Sequence, residues 1–298
     1  MSFTIATSLD EALASIAAGA RPIAGGSDLV VGARQGKFDL PAELVAIDRI
    51  ESLATIDVGA DETSIGSGVT HSRLMEDGVI VDNFTAIADA AALVGSPSTR
   101  NVGTIGGNVM NSSPAMDTGA PLVVLGAEAE LTTSSGRRRV GLDELWTGPG
   151  QHSAAADELC TALLLPNRPA NSGSAYVRLE YRRAMEIAVV GAAAAITLDG
   201  DNIDSIRVAL TAVAPTIIEV AGLDSLVGRP LDDASLAEIA EAASGQATPI
   251  SDLRASDAYR RHTIGVMARR AAEAAARRAS GETIAVPVNR ALGIGAAS

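Results

Sequence analysis

Two pairs of adjacent glycines, Gly25-Gly26 and Gly106-Gly107, constrain this chain more than any other feature. Glycine adopts backbone angles closed to other residues and lets another molecule approach the main chain. The first pair stands in Ala24-Gly25-Gly26-Ser27-Asp28, between a predicted strand at 21–24 and a predicted helix at 29–35. The second stands in Gly103-Thr104-Ile105-Gly106-Gly107-Asn108, inside a Gly/Asn/Ser/Pro segment that runs from 95 to 114. Structureless connections of that length are uncommon and are often functional. Successive peptide N–H groups in such turns form an anion-binding concavity, and a helix that starts behind them adds its dipole. Ser27 and Thr104 add hydroxyl donors without adding charge. Neither segment is G-x-G-x-x-G or a Walker A sequence. On spacing alone, a tight turn with no ligand is the better reading of each. Taken together, they bring nucleotide binding level with it.

Composition removes several other functions. The formal net charge is −13, which repels phosphate backbones and argues against general nucleic-acid binding. Three Phe, three Tyr and one Trp leave few rings for base stacking and make Ala, Val, Leu and Ile the packing residues. The single cysteine, Cys160, can form neither an internal disulfide nor an iron–sulfur cluster, and its apolar neighbours make a buried structural thiol the default reading. His71, His152 and His262 have no metal-type spacing and read as ordinary helix or loop residues. The densest basic run, Arg137-Arg138-Arg139, reads as an exposed strand or turn, with a docking contact as the alternative. The N-terminal stretch lacks a secretory pattern, and the nearly apolar run 187–198 is too short for a transmembrane helix. A soluble, cytoplasmic protein is expected.

Along the chain, Ser8 and Glu11 form a capping-box pattern for a helix that stops near Gly19. Strands are predicted at 44–47 and 63–66, helices at 70–77, 83–94 and 120–125, and a hairpin at 129–140 turning on Ser134-Ser135-Gly136. A strand at 159–165 precedes a polar joint at 167–174. Beyond it come strands at 175–181, 187–198 and 203–213, helices at 235–243 and 256–279, and a tail at 281–298. The mixture lacks a regular β-α alternation and reads as α+β.

Three segments together resemble a known family: AGGSD at 24–28, RNVGTIGGNVMNSSPAMD at 100–117 and AYVRLEYRRAMEIAVVG at 175–191. The chain resembles the FAD-binding medium subunit of the xanthine dehydrogenase and carbon monoxide dehydrogenase group, over roughly residues 3–275. The resemblance implies a two-part FAD domain of the vanillyl-alcohol-oxidase (PCMH) type, at 1–57 and 58–168, followed by a smaller α+β domain at 174–279 and a tail at 280–298. FAD would lie between the two parts of the first domain. Ala24, Gly25, Gly26, Ser27, Asp28 and Leu29 would form one diphosphate loop, and Thr104, Ile105, Gly106, Gly107 and Asn108 the other. Val94 would give an apolar contact and Cys160 a backbone contact. Asp117 would accept from ribose hydroxyls or brace the loop, unless it merely caps the following helix. Arg178 would be a cation near the flavin, or else a surface arginine. Tyr176 would cover a ring face, or else be a half-buried strand residue. The chain departs from many relatives at Gly95-Ser96-Pro97-Ser98, where they carry an acidic and a longer polar side chain. It also has Ser-Asp in the first loop where others have His-Ser or Thr-Asp.

The resemblance further implies partners: a large molybdopterin-binding subunit that hydroxylates the substrate, and a small subunit with two [2Fe–2S] clusters. The assembly would be a heterohexamer, a dimer of such heterotrimers, in which this chain passes electrons to NAD, a quinone or O2. No catalytic residue is expected here, because the flavin carries the chemistry and the protein supplies binding and electrostatics. Two rivals follow from the same residues: a self-sufficient flavin oxidoreductase, and an assembly subunit that has lost its flavin.

Overall fold

The structure is a computed structural model that describes residues 2–294. Its chain contacts divide into two compact units, and both are discontinuous in sequence. One unit comprises residues 1–73, 97–112 and 127–166, and the other 74–96, 113–126 and 167–298. Segments 74–96 and 113–126, expected inside the 58–168 subdomain, therefore pack with the residues that follow 167. The predicted joint at 167–174 coincides with the last crossing between units.

The first unit opens with a strand–helix–strand–helix–strand run. Strands Ser2–Ile5, Arg21–Ile23 and Glu43–Ala46 form a parallel sheet with Glu43–Ala46 in the middle. Strand and helix alternate over these residues, within a chain that is α+β as a whole. The missed strand, Ser2–Ile5, is exposed on every residue, and its Ser-Phe-Thr-Ile alternation is only four residues long. Helix Leu9–Ala17 forms as predicted. The Ser8 hydroxyl accepts from the Glu11 N–H, and the Glu11 carboxylate accepts from the Thr7 N–H at 2.8 Å. Its buried residues Ala12, Leu13 and Ile16 pack in one cluster with Val45, Ile47, Ile50 and Leu53.

The rest of this unit is an antiparallel sheet of five strands, Ile56–Val58, Glu62–Gly66, Leu159–Pro166, Glu128–Thr133 and Gly136–Gly141 in spatial order. The central strand Leu159–Pro166 is buried on seven of its eight residues, because it has sheet neighbours on both sides. Ser134 and Ser135 make the predicted hairpin turn. Arg137, Arg138 and Arg139 lie on the outer strand and pair with Glu130, Glu158 and Glu62. A charged outer strand resists edge-to-edge pairing, and these partners within the unit account for the arginine run. The 95–114 segment is not structureless. It holds helices Pro97–Arg100 and Ile105–Asn111, the second capped by the Thr104 hydroxyl, which accepts from the Gly107 N–H at 3.1 Å. Its Gly and Asn content had concealed them.

The second unit is built on an antiparallel sheet of strands Ser172–Leu179, Val190–Asp199, Asn202–Thr211 and Ile218–Glu219. Helices Asp233–Gln246 and Asp257–Ala279 supply the main core against it. Strand Val190–Asp199 carries four consecutive alanines and is buried on nine of ten residues. Small side chains let the covering helix come close. A methyl group placed on Gly173 would stand 2.2 Å from the Ala275 carbonyl oxygen. The expected tail is only partly a tail. Helix Val288–Ala291 docks with Val288 and Asn289 fully buried, and the Asn289 amide pairs with both main-chain groups of Arg178. Residues 295–298 of that prediction lie outside the described residues.

Asp89 ties this unit together. It sits on helix Thr85–Ala91, fully buried, and accepts from the Tyr176 N–H, the Val288 N–H and both Nη atoms of Arg278. Removing one partner of a buried ion pair leaves the other charge uncompensated. Asp89→Ala is therefore expected to cost about 3–5 kcal/mol of stability, read as a shift in the urea-unfolding midpoint. A loss below about 1 kcal/mol, the worth of an exposed pair, would show that Asp89 is not the tie described here.

Candidate functional site

The two glycine segments meet within the first unit. A methyl group placed on Gly25 would stand 1.8 Å from the carbonyl oxygen of Val102 and 3.0 Å from the N of Gly103. No side chain fits there, so the first turn is locked against the start of the second. Gly103 in turn has the Ser27 hydroxyl near it, 3.7 Å from where its own Cβ would lie. Gly106 is equally confined, since its Cβ would fall 2.4 Å from the Cβ of Ser67. Gly26 has φ of +66° and stands at the start of helix Ser27–Arg34. No side chain caps that helix start, so its first-turn N–H groups are available to an anion. Gly25 and Gly107 are exposed, whereas Ile105 and Gly106 are buried. The open first-turn N–H groups of helix Ser27–Arg34 stand beside a second turn whose own N–H groups at Gly103, Ile105, Gly106, Gly107 and Asn108 are bonded within the protein.

A strap of residues 67–71 backs the second turn. The Gly106 N–H donates to the Ser67 carbonyl, the Ile105 N–H to the Val69 carbonyl and the His71 N–H to the Gly103 carbonyl, all at 2.9–3.0 Å. Thr70 and Thr104 form an antiparallel bridge. Sequence reasoning left this strap out, because nothing in Ser67-Gly68-Val69-Thr70-His71 departs from an ordinary strand-to-helix connection.

Leu29 lies half-buried in helix Ser27–Arg34, and Asp28 stands in that helix's first turn. Asn108 is in helix Ile105–Asn111. Cys160 is buried on the central strand, and burial, reinforced by the Glu130 charge, pushes its thiol up to about 12. A thiol protonated at any ordinary pH is inert, in line with the structural reading of its side chain.

The remaining candidates belong to the second unit and form a separate group. Val94 is half-buried just after helix Thr85–Ala91. Asp117, Tyr176 and Arg178 are joined to one another. The Tyr176 hydroxyl donates to Asp117 Oδ1 at 2.8 Å, and Arg178 Nη1 donates to Asp117 Oδ2 at 2.7 Å. Arg178 also donates to Glu180 Oε2 from Nε at 2.9 Å and from Nη2 at 2.7 Å. Three of the alternative readings are corrected here. Arg178 is fully buried, not a surface arginine. Tyr176 is fully buried, not half-buried. Asp117 does not cap the next helix, which starts at Gly119 after Thr118 and has no side-chain cap. Burial raises the Asp117 carboxyl against the opposing pull of Arg178 and Tyr176. Burial works to lower the Arg178 guanidinium, but Asp117, Tyr176 and Glu180 together outweigh it and hold the group above its usual range. Among the described residues, no cluster of three or more His, Cys, Asp or Glu could hold a metal ion. No described helix is long and apolar enough to cross a membrane.

The chain is similar to known proteins in sequence and in fold. Residues 1–168 match the family described as the FAD binding domain in molybdopterin dehydrogenase, and residues 175–275 the CO dehydrogenase flavoprotein C-terminal domain. The chain is 31% identical over 266 residues to a xanthine dehydrogenase FAD-binding subunit of Escherichia coli O157:H7, covering 88% of this chain and 91% of that one. It is 34% identical over 262 residues to the carbon monoxide dehydrogenase medium chain of Afipia carboxidovorans, covering 87% and 90%. Among solved structures, a chain of the reconstituted CO dehydrogenase from Oligotropha carboxidovorans superposes with a TM-score of 0.88 at 31% identity, covering 93% of this chain and 98% of that one.

The Gly25 contact generates a direct test. Gly25→Ala must push the Val102 carbonyl away, and overpacking of this kind costs about 1–3 kcal/mol. A Cβ on Gly78 meets nothing within 4 Å, so Gly78→Ala should leave stability unchanged or raise it by about 0.4–1 kcal/mol. Thermal unfolding of both variants measures the contrast, and equal behaviour would show that the two turns are not locked together.

Proposed function

The chain belongs to the family of FAD-binding subunits of molybdenum-containing hydroxylases and dehydrogenases, and from that premise we propose that it holds FAD by its diphosphate at the two interlocked glycine turns. The observation that carries this reading is the contact of Gly25 with Val102 and Gly103, which brings the uncapped start of helix Ser27–Arg34 against the second turn. In a chain of net charge −13, an anionic diphosphate needs local donors strong enough to overcome the general repulsion. Uncharged peptide N–H groups and the Ser27 and Thr104 hydroxyls supply them.

In this reading Ala24, Gly25, Gly26, Ser27, Asp28 and Leu29 line one side of the diphosphate. Thr104, Ile105, Gly106, Gly107 and Asn108 line the other. Val94 adds an apolar contact and Cys160 a main-chain contact. Asp117, Tyr176 and Arg178 act differently from the free contacts expected of them. Their polar atoms are committed to one another and to Glu180, so they serve as a buried support that fixes strand Ser172–Leu179. When bound, FAD would supply the redox chemistry, accepting electrons and passing them on. The chain's residues would seat it, orient it and set the field around it.

The same reading places the chain in a heteromeric assembly with a large molybdopterin-binding subunit and a small [2Fe–2S] subunit, as a dimer of heterotrimers in the cytoplasm. Electrons would enter from the clusters and leave to NAD, a quinone or O2. Residues 1–57, 58–168 and 174–279 would be the successive domains, in the order that the two family matches support.

The decisive experiment is a flavin assay. The full chain, and the complex purified with its partners, should carry about one FAD per copy after gentle isolation, measured by the visible spectrum and by cofactor extraction. A colourless complex that also fails to take up added FAD would overturn the proposal.

A further inference from the structure

The strap behind the second glycine turn carries two buried side-chain polar atoms with no hydrogen-bond partner, Ser67 Oγ and His71 Nδ1. Ser67 is 4% exposed and His71 2%. Buried polar atoms are nearly always paired, and an exception calls for a physical reason. The strap is hydrogen-bonded along the glycine turn, which sets where the His71 ring sits, and the unpaired Nδ1 sets which ring nitrogen carries the proton.

The ring of His71 is placed by its neighbours. Its main-chain N–H is held by the Gly103 carbonyl. Its Cδ2 lies 3.3 Å from where a Cβ on Gly103 would stand. Cδ2 is the ring carbon bonded to Nε2, so the Cδ2–Nε2 edge faces the turn and Nδ1 lies on the other side of the ring. Which nitrogen carries the proton follows from the cost of leaving it unpaired. A buried N–H without an acceptor is rarer than a buried acceptor without a donor. Nδ1 has no partner, so it is the bare nitrogen and Nε2 carries the hydrogen. Burial, with the nearby Arg100 adding to it, pushes the imidazole down to about 4. The ring is thus neutral at ordinary pH, with one donor on the edge that faces Gly103.

We propose that His71 is a neutral hydrogen-bond donor, through Nε2–H, to a phosphoryl oxygen of the dinucleotide seated at the glycine turns. The inference rests on the FAD reading above and adds a side chain to a site otherwise made of main-chain amides. A neutral donor fits this position. It grips the anion without placing a second cation beside the half-buried Arg100. A hydrogen bond to a charged acceptor in a dry setting is also stronger than one between neutral groups.

The test uses the full chain with histidine labelled by nitrogen-15. The three histidines are assigned by replacing His152 and His262 in turn. In the unmodified chain, His71 should show a protonated Nε2 and a bare Nδ1, and the Nε2 signal should move when FAD is added. FAD affinity, read from flavin fluorescence, should fall about tenfold or more in His71→Ala, the range for a hydrogen bond to a charged group. His71→Gln sets an amide N–H near the Nε2 position and should stay within about threefold of the unmodified chain. His71→Asn reaches only the Nδ1 position and should behave like the alanine variant. A protonated Nδ1, an Nε2 signal indifferent to FAD, or full affinity in His71→Ala would each overturn the proposal. An unmodified chain that binds no FAD would overturn the cofactor reading and this one with it. FAD binding that is untouched by His71→Ala would overturn this one alone. Where a variant fails to fold by circular dichroism, the tautomer of the unmodified chain decides.

Discussion

Everything proposed for this chain depends on one steric fact: at Gly25 there is room for a hydrogen and nothing larger. The Val102 carbonyl occupies the space a Cβ would need. Two loops nearly eighty residues apart in sequence are thereby held in register, and neither could stay in place by its own local energetics. The Gly26 backbone, left-handed at φ +66°, then turns directly into helix Ser27–Arg34, and Thr104 caps the helix that follows the second turn. Backbone angles permitted to glycine, a close approach and two helix starts together set the open amides of the first turn beside the second. That economy suits a protein whose net charge opposes the ligand it is proposed to hold.

The same reliance on small residues shapes the second unit. With so few aromatic side chains, its core must be filled by many aliphatic contacts at short range. The alanine run of Val190–Asp199 and the glycine at 173 let helix Asp257–Ala279 settle against the sheet. Such closeness leaves little space for polar groups, and apart from Thr211 Oγ1 and Arg260 Nε the buried side-chain polar atoms described there are matched. Asp89 meets Arg278 and two main-chain N–H groups, and Arg178 meets Asp117 and Glu180. Each pair incurs a desolvation cost that exposed pairs avoid. In return each fixes where separate chain segments cross, which an aliphatic core alone specifies loosely.

Much of this was legible in the residues. The Ser8/Glu11 capping box, the Ser134-Ser135 hairpin and the strand at 159–165 all carry local signals, and local signals survive in the fold. What could not be read were properties set by distant partners. Strand Ser2–Ile5 is exposed on every residue and is a strand only because it pairs with Glu43–Ala46. The helices at 97–100 and 105–111 lie under a composition typical of loops and are fixed by capping and by the 67–71 strap. Arg178 looked like a surface or ligand-facing cation because nothing adjacent declares that Asp117, sixty-one residues away, and Glu180 enclose it. The tail looked loose because Asn289 gains its meaning only against the Arg178 main chain. The glycine pairs could be found in the sequence, but their mutual contact could not.

This division also explains why the chain's charged groups are poor guides to its chemistry. A guanidinium enclosed by two carboxylates offers no free positive field, so Arg178 cannot act as the simple counter-ion that its residue type implies. The influence it retains is mechanical: it fixes strand Ser172–Leu179 from one side while Asn289 fixes the same residue's main chain from the other. A cofactor that brings its own electron chemistry needs only that kind of help: rigid placement, oriented dipoles and a wall that does not compete for protons. Peptide amides at the uncapped start of helix Ser27–Arg34 and a histidine held neutral by burial meet that need. Free carboxylates or cations at the same wall would vary with pH and salt in ways these groups do not.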